Sequence, residues 1–406
     1  MSQSTVNSDS TSQADVPVED VDLLVVGGGK AGKSLAMLRA KAGDKVVMVE
    51  RDKVGGTCIN VACIPTKTLI SAARVLHEVQ GSGAYGVTLP EQDGGTDALT
   101  QARINLASFR ARKEAVVGGM VAAHEKMFPA SGMDFVKGTA RFVGERTVEI
   151  TLNDGGLRRV RGAKVLINTG TTPSIPPIDG LSDVPYWTAR EALEVEELPK
   201  SIVVLGGGVI GMEFVSLFST LGVDVTVVEM LPKILGPMDE ELSTELQQAF
   251  EKRKVKFHLS TKVTAVRDGR VIAEHEGEQL EIPFDKLLVS VGRRAVTDGL
   301  GLETVGVELQ RGAIVVDEHL ETSVPGIYAV GDVNGVSMLA HTAAREGQVA
   351  VHHITDYPDA MSYRAIPGIV YTDPEIASIG ITEADAKARG IEISVGKFMM
   401  SANGKS

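Results

Sequence analysis

The fold of this 406-residue chain is decided by residues 21–32, VDLLVVGGGKAG, in which a short apolar run leads into a glycine-rich turn. A helical segment follows to about residue 42, and residues 45–49, KVVMV, form a second apolar run that ends at Glu50. The turn has the spacing GxGxxG, with glycines at Gly27, Gly29 and Gly32. This order predicts a βαβ unit that binds a dinucleotide, with its pyrophosphate at the helix N-terminus and ribose hydroxyls at the acid.

The same pattern returns in residues 201–211, SIVVLGGGVIG, whose turn contains Gly206, Gly208 and Gly211. Its second strand, residues 224–228, ends at Glu229. The sequence therefore predicts two dinucleotide-binding units in tandem. An acid at Glu229 accepts a hydrogen bond from a ribose 2′-hydroxyl and repels a 2′-phosphate, which favours NAD over NADP.

Residues 81–86, GSGAYG, also fit the GxGxxG spacing. They follow a helical segment, SAARVLHEVQ, rather than a strand. Because the fingerprint requires a strand before the turn, we interpret this third match as a loop.

Bulk composition limits the partners and the location of the protein. A net charge of −12 argues against a nucleic-acid partner, since phosphate binding needs a positive surface. Residues 1–20 are polar and acidic, which predicts a disordered tail and excludes a secretory signal. No apolar run approaches the roughly 20 residues that cross a bilayer. We therefore expect a cytoplasmic protein without a membrane partner.

The only two cysteines, Cys58 and Cys63, lie in residues 55–67, GGTCINVACIPTK. In a large cytosolic protein they are either unrelated buried thiols or a redox couple. Residues five apart on a regular helix lie about 8 Å apart, so a disulfide would require an interrupted helix. Pro65 suits a first helical turn, which puts Cys63 at a helix N-terminus that stabilises a thiolate. The spacing alone leaves both interpretations open.

The cysteine stretch resembles the redox-active segment of the pyridine nucleotide–disulfide oxidoreductases, a family that includes dihydrolipoyl dehydrogenase, glutathione reductase and mercuric reductase. The resemblance extends over residues 21–406. Further matching segments are the TG turn at 169–170, VSVGRR at 289–294, GIYAVGDV at 326–333, MLAH at 338–341 and IPGIVYTDPEIASIG at 366–380.

The resemblance implies an α/β fold with two tandem Rossmann-like dinucleotide-binding domains, one for FAD and one for NAD, and the start of an α+β interface or dimerisation domain. The implied order along the chain is a disordered tail (1–20), the first part of the FAD-binding domain (21–173), the NAD-binding domain (174–290), the second, central part of the FAD-binding domain (291–358) and a truncated interface domain (359–406).

Site residues follow from the resemblance position by position. The residues implied for FAD are Gly27, Gly29, Gly32, Glu50, Lys67, Gly138, Gly170, Asp332 and Ala340. Those implied for NAD are Gly206, Gly208, Gly211, Glu229, Val263 and Gly292. No metal site is expected. The adjacent His352 and His353 diverge by about 100° on a helix, so we interpret them as ordinary helix residues.

The implied catalytic residues are Cys58, which exchanges with substrate, Cys63, which lies nearest the flavin, and a lysine–glutamate pair, Lys67 and Glu213. Apart from the resemblance, Lys67 would be a surface lysine on an amphipathic helix. Glu213 would be a first-turn acid favoured by the helix dipole. Their roles therefore depend on the resemblance.

The leading interpretation is an NAD-linked, dihydrolipoyl dehydrogenase-like enzyme, since residues 229–241, EMLPKILGPMDEE, also resemble that branch. The implied partners are a small dithiol or disulfide, lipoyl groups of a 2-oxo acid dehydrogenase complex and, in the full-length form, a second copy of the chain. Residues 29–36, GKAGKSLA, and residues 63–69, CIPTKTL, look more like mercuric reductases and related flavoproteins. The alternatives are thus a mercuric-reductase-like or other disulfide or metal-ion reductase, and a non-catalytic flavin-binding accessory protein.

The sequence departs from the family at its C-terminus. Family members end with a histidine–glutamate pair in an HPT-type motif that serves as acid–base for the thiol, and none of the eight histidines here lies in that context. We therefore expect impaired dimerisation and low turnover for the chain as given.

Overall fold

The computed structural model describes residues 16–89 and 95–404, and the chain divides into two compact units. The first unit consists of Met1–Pro65, Lys113–Pro173 and Arg293–Met361. The second consists of Thr66–Arg112, Ser174–Gly292 and Ser362–Ser406.

A six-stranded sheet forms the centre of the first unit. Five of its strands run parallel in the spatial order Ile327–Ala329, Leu157–Ile167, Val18–Val26, Val46–Glu50 and Asp134–Gly144. The sixth strand, Thr147–Leu152, pairs antiparallel with both Asp134–Gly144 and Leu157–Ile167. Apolar residues of these strands, including Leu24, Val49 and Val165, are buried in one core cluster.

The predicted N-terminal tail, residues 1–20, extends too far along the chain, because its last three residues belong to a strand. Residues 1–15 lie outside the described residues, but the first strand begins at Val18 rather than residue 21. Its polar start pairs in register with residues 159–161 of the neighbouring strand. Asp20 also forms a two-bond ion pair with Arg161. Ladder hydrogen bonds and ion pairs thus order a segment whose composition is that of a tail.

The second unit repeats this arrangement. Four parallel strands lie in the order Lys286–Val289, Ser201–Leu205, Asp224–Val228 and Lys256–His258. A separate antiparallel sheet contains Thr261–Arg267, Arg270–His275 and Glu278–Pro283. In both units the strand before the glycine turn lies between the strand after the helix and a later parallel strand. The predicted pair of tandem Rossmann-like domains is confirmed.

The remaining elements connect and cover these sheets. The helices are Lys30–Lys41, Gly56–Asn60, Cys63–Gly81, Gly95–Thr100, Leu106–Ser131, Ala189–Ala192, Val209–Thr220, Glu240–Lys252, Ala340–Ile354 and Glu383–Ala388. The short strand pairs are Thr171–Pro173 with Arg293–Ala295, Leu309–Gln310 with Ala313–Ile314, and Pro367–Val370 with Ile376–Ile379. Single 3₁₀ turns occupy Ser82–Tyr85, Leu181–Asp183, Leu302–Thr304, Gly331–Asn334 and Met400–Ala402.

One local expectation holds in these elements. The third glycine-rich match, residues 81–86, is the end of a helix followed by a 3₁₀ turn, so its interpretation as a loop is confirmed. The chain after residue 366 forms a strand, a turn, a second strand and a helix.

One helical stretch, Gly56–Tyr85, is long and apolar enough to cross a membrane by length and composition alone. This is weak evidence, because the core helix of a soluble protein passes the same test. Leu69 and Ile70 of this stretch are buried in the core of the second unit. Lys67 in the same stretch forms an ion pair with Glu213, as expected of a helix packed inside a protein.

Candidate functional site

The first glycine turn is shaped by backbone contacts that leave no room for side chains. Gly27 has a φ of 104°, where side chains are strained, and a Cβ there would collide with the carbonyl of Asn168. A Cβ at Gly32 would lie 2.8 Å from the carbonyl oxygen of Gly27. The turn therefore brings the N-terminus of helix Lys30–Lys41 to the end of the first strand, where its N–H groups can face a phosphate.

Glu50 lies directly over this turn. Its carboxylate accepts hydrogen bonds from the backbone N–H of Gly28, at 2.8 Å, and of Asp52, at 2.9 Å. These bonds fix the carboxylate at the end of the second strand, half exposed. An acid in this position can accept from ribose hydroxyls of a nucleotide bound at the turn.

The second turn reproduces the first. Gly206 also has a φ of 104°, and its Cβ would meet the carbonyl oxygen of Ser290 at 2.6 Å. Glu229 accepts from the N–H of Gly207 and, at 2.7 Å, from that of Leu231. By contrast, a Cβ at Gly208 would meet nothing within 4 Å. Because Gly208 has no side chain, a pyrophosphate can come close to the backbone in this open space in front of the helix N-terminus. The residues of the second turn therefore fit a dinucleotide.

The other residues predicted for NAD lie in the second unit. Val263 is half buried near the start of strand Thr261–Arg267, and Thr261 donates its N–H to the carbonyl of Glu229. Gly292 has a φ of 118° and open space around its Cα, and its carbonyl accepts from Ser174. Their contact with a nucleotide stays a prediction.

Asp332 belongs to a hydrogen-bonded group in the first unit that includes residues the sequence reasoning missed. It accepts from the hydroxyl of Thr171 at 2.8 Å, and that hydroxyl accepts from Nε of Arg293 at 2.7 Å. Burial lowers the pKa of Arg293, whereas the charges of Asp332 and Cys63 act in the opposite direction. The signal for Thr171 is its place directly after the TG turn, and that for Arg293 is its place in VSVGRR.

Two further side chains fix the ends of neighbouring strands. Asn168 donates its side-chain amide to the carbonyl of Gly27 at 3.2 Å, so it ties strand Leu157–Ile167 to the first turn. Glu346 is fully buried and accepts from the N–H of Gly331, which precedes Asp332. No local motif marks Glu346, because its partner Gly331 is 15 residues away in the chain.

The remaining residues predicted for FAD have simple positions. Gly170 has a φ of 68° in the TG turn, and Ala340 is the first residue of helix Ala340–Ile354. Gly138 is buried in a strand, where a Cβ would lie 2.6 Å from the carbonyl oxygen of Thr151. Packing against the neighbouring strand therefore explains this glycine, and its approach to a nucleotide stays a prediction.

The two cysteines lie on either side of a break between helices. Cys58 belongs to the short helix Gly56–Asn60, and the next helix begins at Cys63. Between them Val61 has φ −143° and ψ 13°, which is not helical. The expected interruption and the expected helix N-terminus at Cys63 are both confirmed.

The cysteine segment rests on the first glycine turn. A Cβ at Gly56 would lie 2.8 Å from the Cα of Gly29, and the N–H of Gly55 donates to the carbonyl of Gly28 at 3.2 Å. Contact this close requires glycine at residue 56. The structure therefore brings the segment with the two thiols to the turn predicted to bind FAD.

Lys67 and Glu213 form an ion pair within the second unit. The ammonium lies 2.6 Å from both carboxylate oxygens, and Glu213 is 3% exposed. The Lys67 Nζ also lies 5.0 Å from the ring centre of Tyr371, whose N–H donates to the carboxylate. Glu213 is therefore buried, whereas the Lys67 side chain stays 32% exposed.

Residues 27–34 also satisfy the phosphate-loop pattern GxxxxGK[ST], a match that ends at Lys33 and Ser34. The structure excludes that role. Helix Lys30–Lys41 starts before this lysine, whose side chain is 2% exposed and bonded to His124. A phosphate-loop lysine must instead extend to the phosphates.

The paired histidines make separate contacts inside the first unit. His352 bonds Asp359 at 2.7 Å through Nδ1. The ring of His353 stacks on that of His319 at 4.6 Å, and its Nδ1 lies 3.0 Å from the hydroxyl of Tyr328. The two neighbours thus point to different partners.

Comparison with known proteins adds independent findings. The family model described as pyridine nucleotide-disulphide oxidoreductase matches residues 21–347, and the model of its dimerisation domain matches residues 366–406. The chain is 36% identical over 399 residues to a mitochondrial dihydrolipoyl dehydrogenase of Dictyostelium discoideum, covering 96% of this chain and 80% of that protein. A dihydrolipoyl dehydrogenase of Halobacterium salinarum is 37% identical over 393 residues, covering 95% of this chain and 81% of the relative.

A solved structure is also similar. The HOCl-induced flavoprotein disulfide reductase of Escherichia coli superposes with a TM-score of 0.80 at 28% identity, covering 95% of this chain and 83% of that one.

Proposed function

Because the chain belongs to the pyridine nucleotide-disulphide oxidoreductase family, we propose that it oxidises the dithiol of dihydrolipoyl groups and passes the electron pair to NAD⁺. The protein is a flavoprotein oxidoreductase whose cofactors are FAD and NAD, as predicted from the sequence. The observation that carries the proposal is the close packing of the cysteine segment on the first glycine turn through Gly56 and Gly29.

In this proposal the two turns hold different nucleotides. Gly27, Gly29, Gly32, Glu50, Lys67, Gly138, Gly170, Asp332 and Ala340 would hold FAD. Gly206, Gly208, Gly211, Glu229, Val263 and Gly292 would hold NAD. When bound, FAD supplies the two-electron chemistry that connects a dithiol to a nicotinamide.

The cysteines carry out the exchange with substrate. A substrate thiolate attacks the sulfur of Cys58 in the Cys58–Cys63 disulfide, and Cys63 leaves as a thiolate. The second substrate thiolate then attacks the mixed disulfide and releases Cys58. The substrate dithiol is oxidised to a cyclic disulfide, and the enzyme disulfide is reduced by the same two electrons. The helix N-terminus at Cys63 stabilises the thiolate that leaves first.

Lys67 supplies a fixed positive charge in this scheme. It lies one turn after Cys63 on the same helix, and Glu213 holds its ammonium from both carboxylate oxygens. We propose that this pair holds the lysine in one orientation.

The test is an anaerobic titration of the purified flavoprotein with NADH, followed by a count of thiols in denaturant. We expect no reactive thiol before NADH and two afterwards, since the chain contains two cysteines. We also expect a long-wavelength absorbance from a thiolate beside oxidised flavin, lost in Cys63→Ser and retained in Cys58→Ser. Flavin that bleaches without the appearance of thiols would overturn the proposal.

A second candidate is a disulfide or metal-ion reductase. It is supported by residues 29–36, GKAGKSLA, and by the similarity to the Escherichia coli disulfide reductase. Steady-state rates with dihydrolipoamide plus NAD⁺, and with Cu²⁺ or Hg²⁺ plus NADH, distinguish the two. A chain with two NADH-reducible thiols and neither activity would instead support the accessory flavoprotein.

The dimerisation domain in residues 366–406 supports a homodimer. The lipoyl groups of a 2-oxo acid dehydrogenase complex and a cytoplasmic location belong to the proposal. Binding of the purified protein to an isolated lipoyl domain, followed by calorimetry, tests the first of these.

A further inference from the structure

Lys33 is a buried lysine whose ammonium bonds a histidine. It lies in the first helical turns of Lys30–Lys41, and its side chain is 2% exposed. None of the ion pairs within residues 16–89 and 95–404 includes it. Its ammonium instead bonds Nε2 of His124 at 2.7 Å. Burying an ammonium is costly unless its hydrogens are accepted, so the histidine is what keeps the lysine in place.

The bonds of His124 define its protonation. Its Nδ1 lies 2.7 Å from the carbonyl oxygen of Met120, which can only accept, so Nδ1 carries the hydrogen. Nε2 is then left as an acceptor for Lys33. Burial lowers the pKa of His124, and the charge of Lys33 lowers it further, so both effects favour the neutral ring. The pair therefore carries one positive charge, on the lysine.

This charge lies next to the cysteine segment. The N–H of Lys33 donates to the carbonyl of Gly29 at 3.2 Å, so Lys33 lies one helical turn after Gly29. Gly29 is also the residue against which Gly56 packs. Cys58 follows Gly56 by two residues on the short helix Gly56–Asn60. The lysine and the cysteine segment thus meet at the first glycine turn, and the charge of Cys58 acts on Lys33 there.

We propose that Lys33, held by His124, is a positioning residue whose charge stabilises the thiolate of Cys58 and so makes Cys58 the sulfur that exchanges with substrate. Only the identity of the exchange partner rests on the proposed function. When Cys58 attacks a substrate disulfide, the distal substrate sulfur leaves as a thiolate. In the opposite direction Cys58 is itself the leaving thiolate. The cation favours the charged form of Cys58 in both directions.

The charged groups around Lys33 agree with this role. Burial lowers the pKa of Lys33 to about 8, the charge of Lys30 adds to this effect, and the charge of Cys58 opposes it. With this pKa the charged form of the lysine predominates at pH 7. Helix Ala340–Ile354 packs on Ala31 through Gly347, and its buried Glu346 is bonded to Gly331.

The experiment uses full-length flavoprotein carrying Cys63→Ser, which leaves Cys58 as the only thiol of the chain. The rate of alkylation by iodoacetamide is measured from pH 5 to 10. We expect a midpoint below the roughly 8.5 of a free cysteine. Adding Lys33→Met should raise the midpoint by about one pH unit, which slows alkylation at pH 7 about tenfold. Lys33→Arg, which keeps the charge, should retain the low midpoint.

Lys41→Met is the matched control, since Lys41 is exposed and about 12 Å further along the same helix, and it should leave the profile unchanged. If Lys33→Met folds poorly, as judged by circular dichroism, Lys33→Gln gives the same readout. A profile that is identical with and without the lysine charge overturns the proposal. Alkylation needs neither NAD nor dihydrolipoamide, so a low Cys58 midpoint without lipoamide turnover would refute only the proposed function.

Discussion

The preference for NAD over NADP should depend on the carboxylate of Glu229. The structure holds this group at the second glycine turn by the N–H groups of Gly207 and Leu231. Glu229→Gln keeps the size of the side chain and removes its charge. A hydrogen bond to a charged group contributes about 1.5–3 kcal/mol and a neutral one about 0.5–1.5. The loss of about 1.4 kcal/mol lowers NADH affinity about tenfold.

The same change removes the repulsion of a 2′-phosphate. Met230 is 67% and Leu231 48% exposed, so the site is open to solvent and the repulsion is screened. We therefore expect the affinity for NADPH to rise only about tenfold, which is less than it would rise in a site that excludes water. The preference for NADH over NADPH should then fall about a hundredfold.

The assay is the rate of flavin reduction by each nucleotide in anaerobic stopped flow, which requires no dithiol substrate. Glu50→Gln is the matched control, because Glu50 makes the equivalent bonds at the first turn. That variant should retain less FAD and leave the nucleotide preference unchanged. An unchanged preference in Glu229→Gln would refute the reasoning.

Three further predictions follow from the packing. Glu213→Leu should lower the free energy of unfolding by about 3 kcal/mol, because it leaves the ammonium of Lys67 without its carboxylate. Adding Lys67→Met should recover at least half of this loss in urea denaturation. If the single and the double variant lose the same stability, the loss does not come from the charge pair. Gly211→Ala should prevent folding, because the added Cβ would collide with the carbonyl of Gly206. Gly208→Ala should keep the melting temperature of the parent protein, because its Cβ has free space, but it should bind NADH at least tenfold more weakly in calorimetry. Asp332→Asn should lower the FAD content of the purified protein, measured as the visible-to-280 nm absorbance ratio, and full occupancy would count against its role.

Local patterns in the sequence determined the two nucleotide turns. The predicted strands at 201–205 and 224–228 have the same bounds in the structure, and both acids lie at the strand ends where they were expected. These features were accessible because a strand, a glycine turn and a helix N-terminus depend on residues close in sequence. The break between Cys58 and Cys63 was accessible for the same reason.

The tertiary structure alone decided the contacts between distant segments. The bond from Lys33 to His124 joins residues 91 apart, that from Lys67 to Glu213 residues 146 apart, and that from Thr171 to Asp332 residues 161 apart. Residues 18–20 join a strand only because a ladder partner lies 141 residues further along the chain. Local patterns thus indicated the family, the two turns and the helix break between the cysteines. Which charges are buried depends on packing between helices that no local pattern encodes.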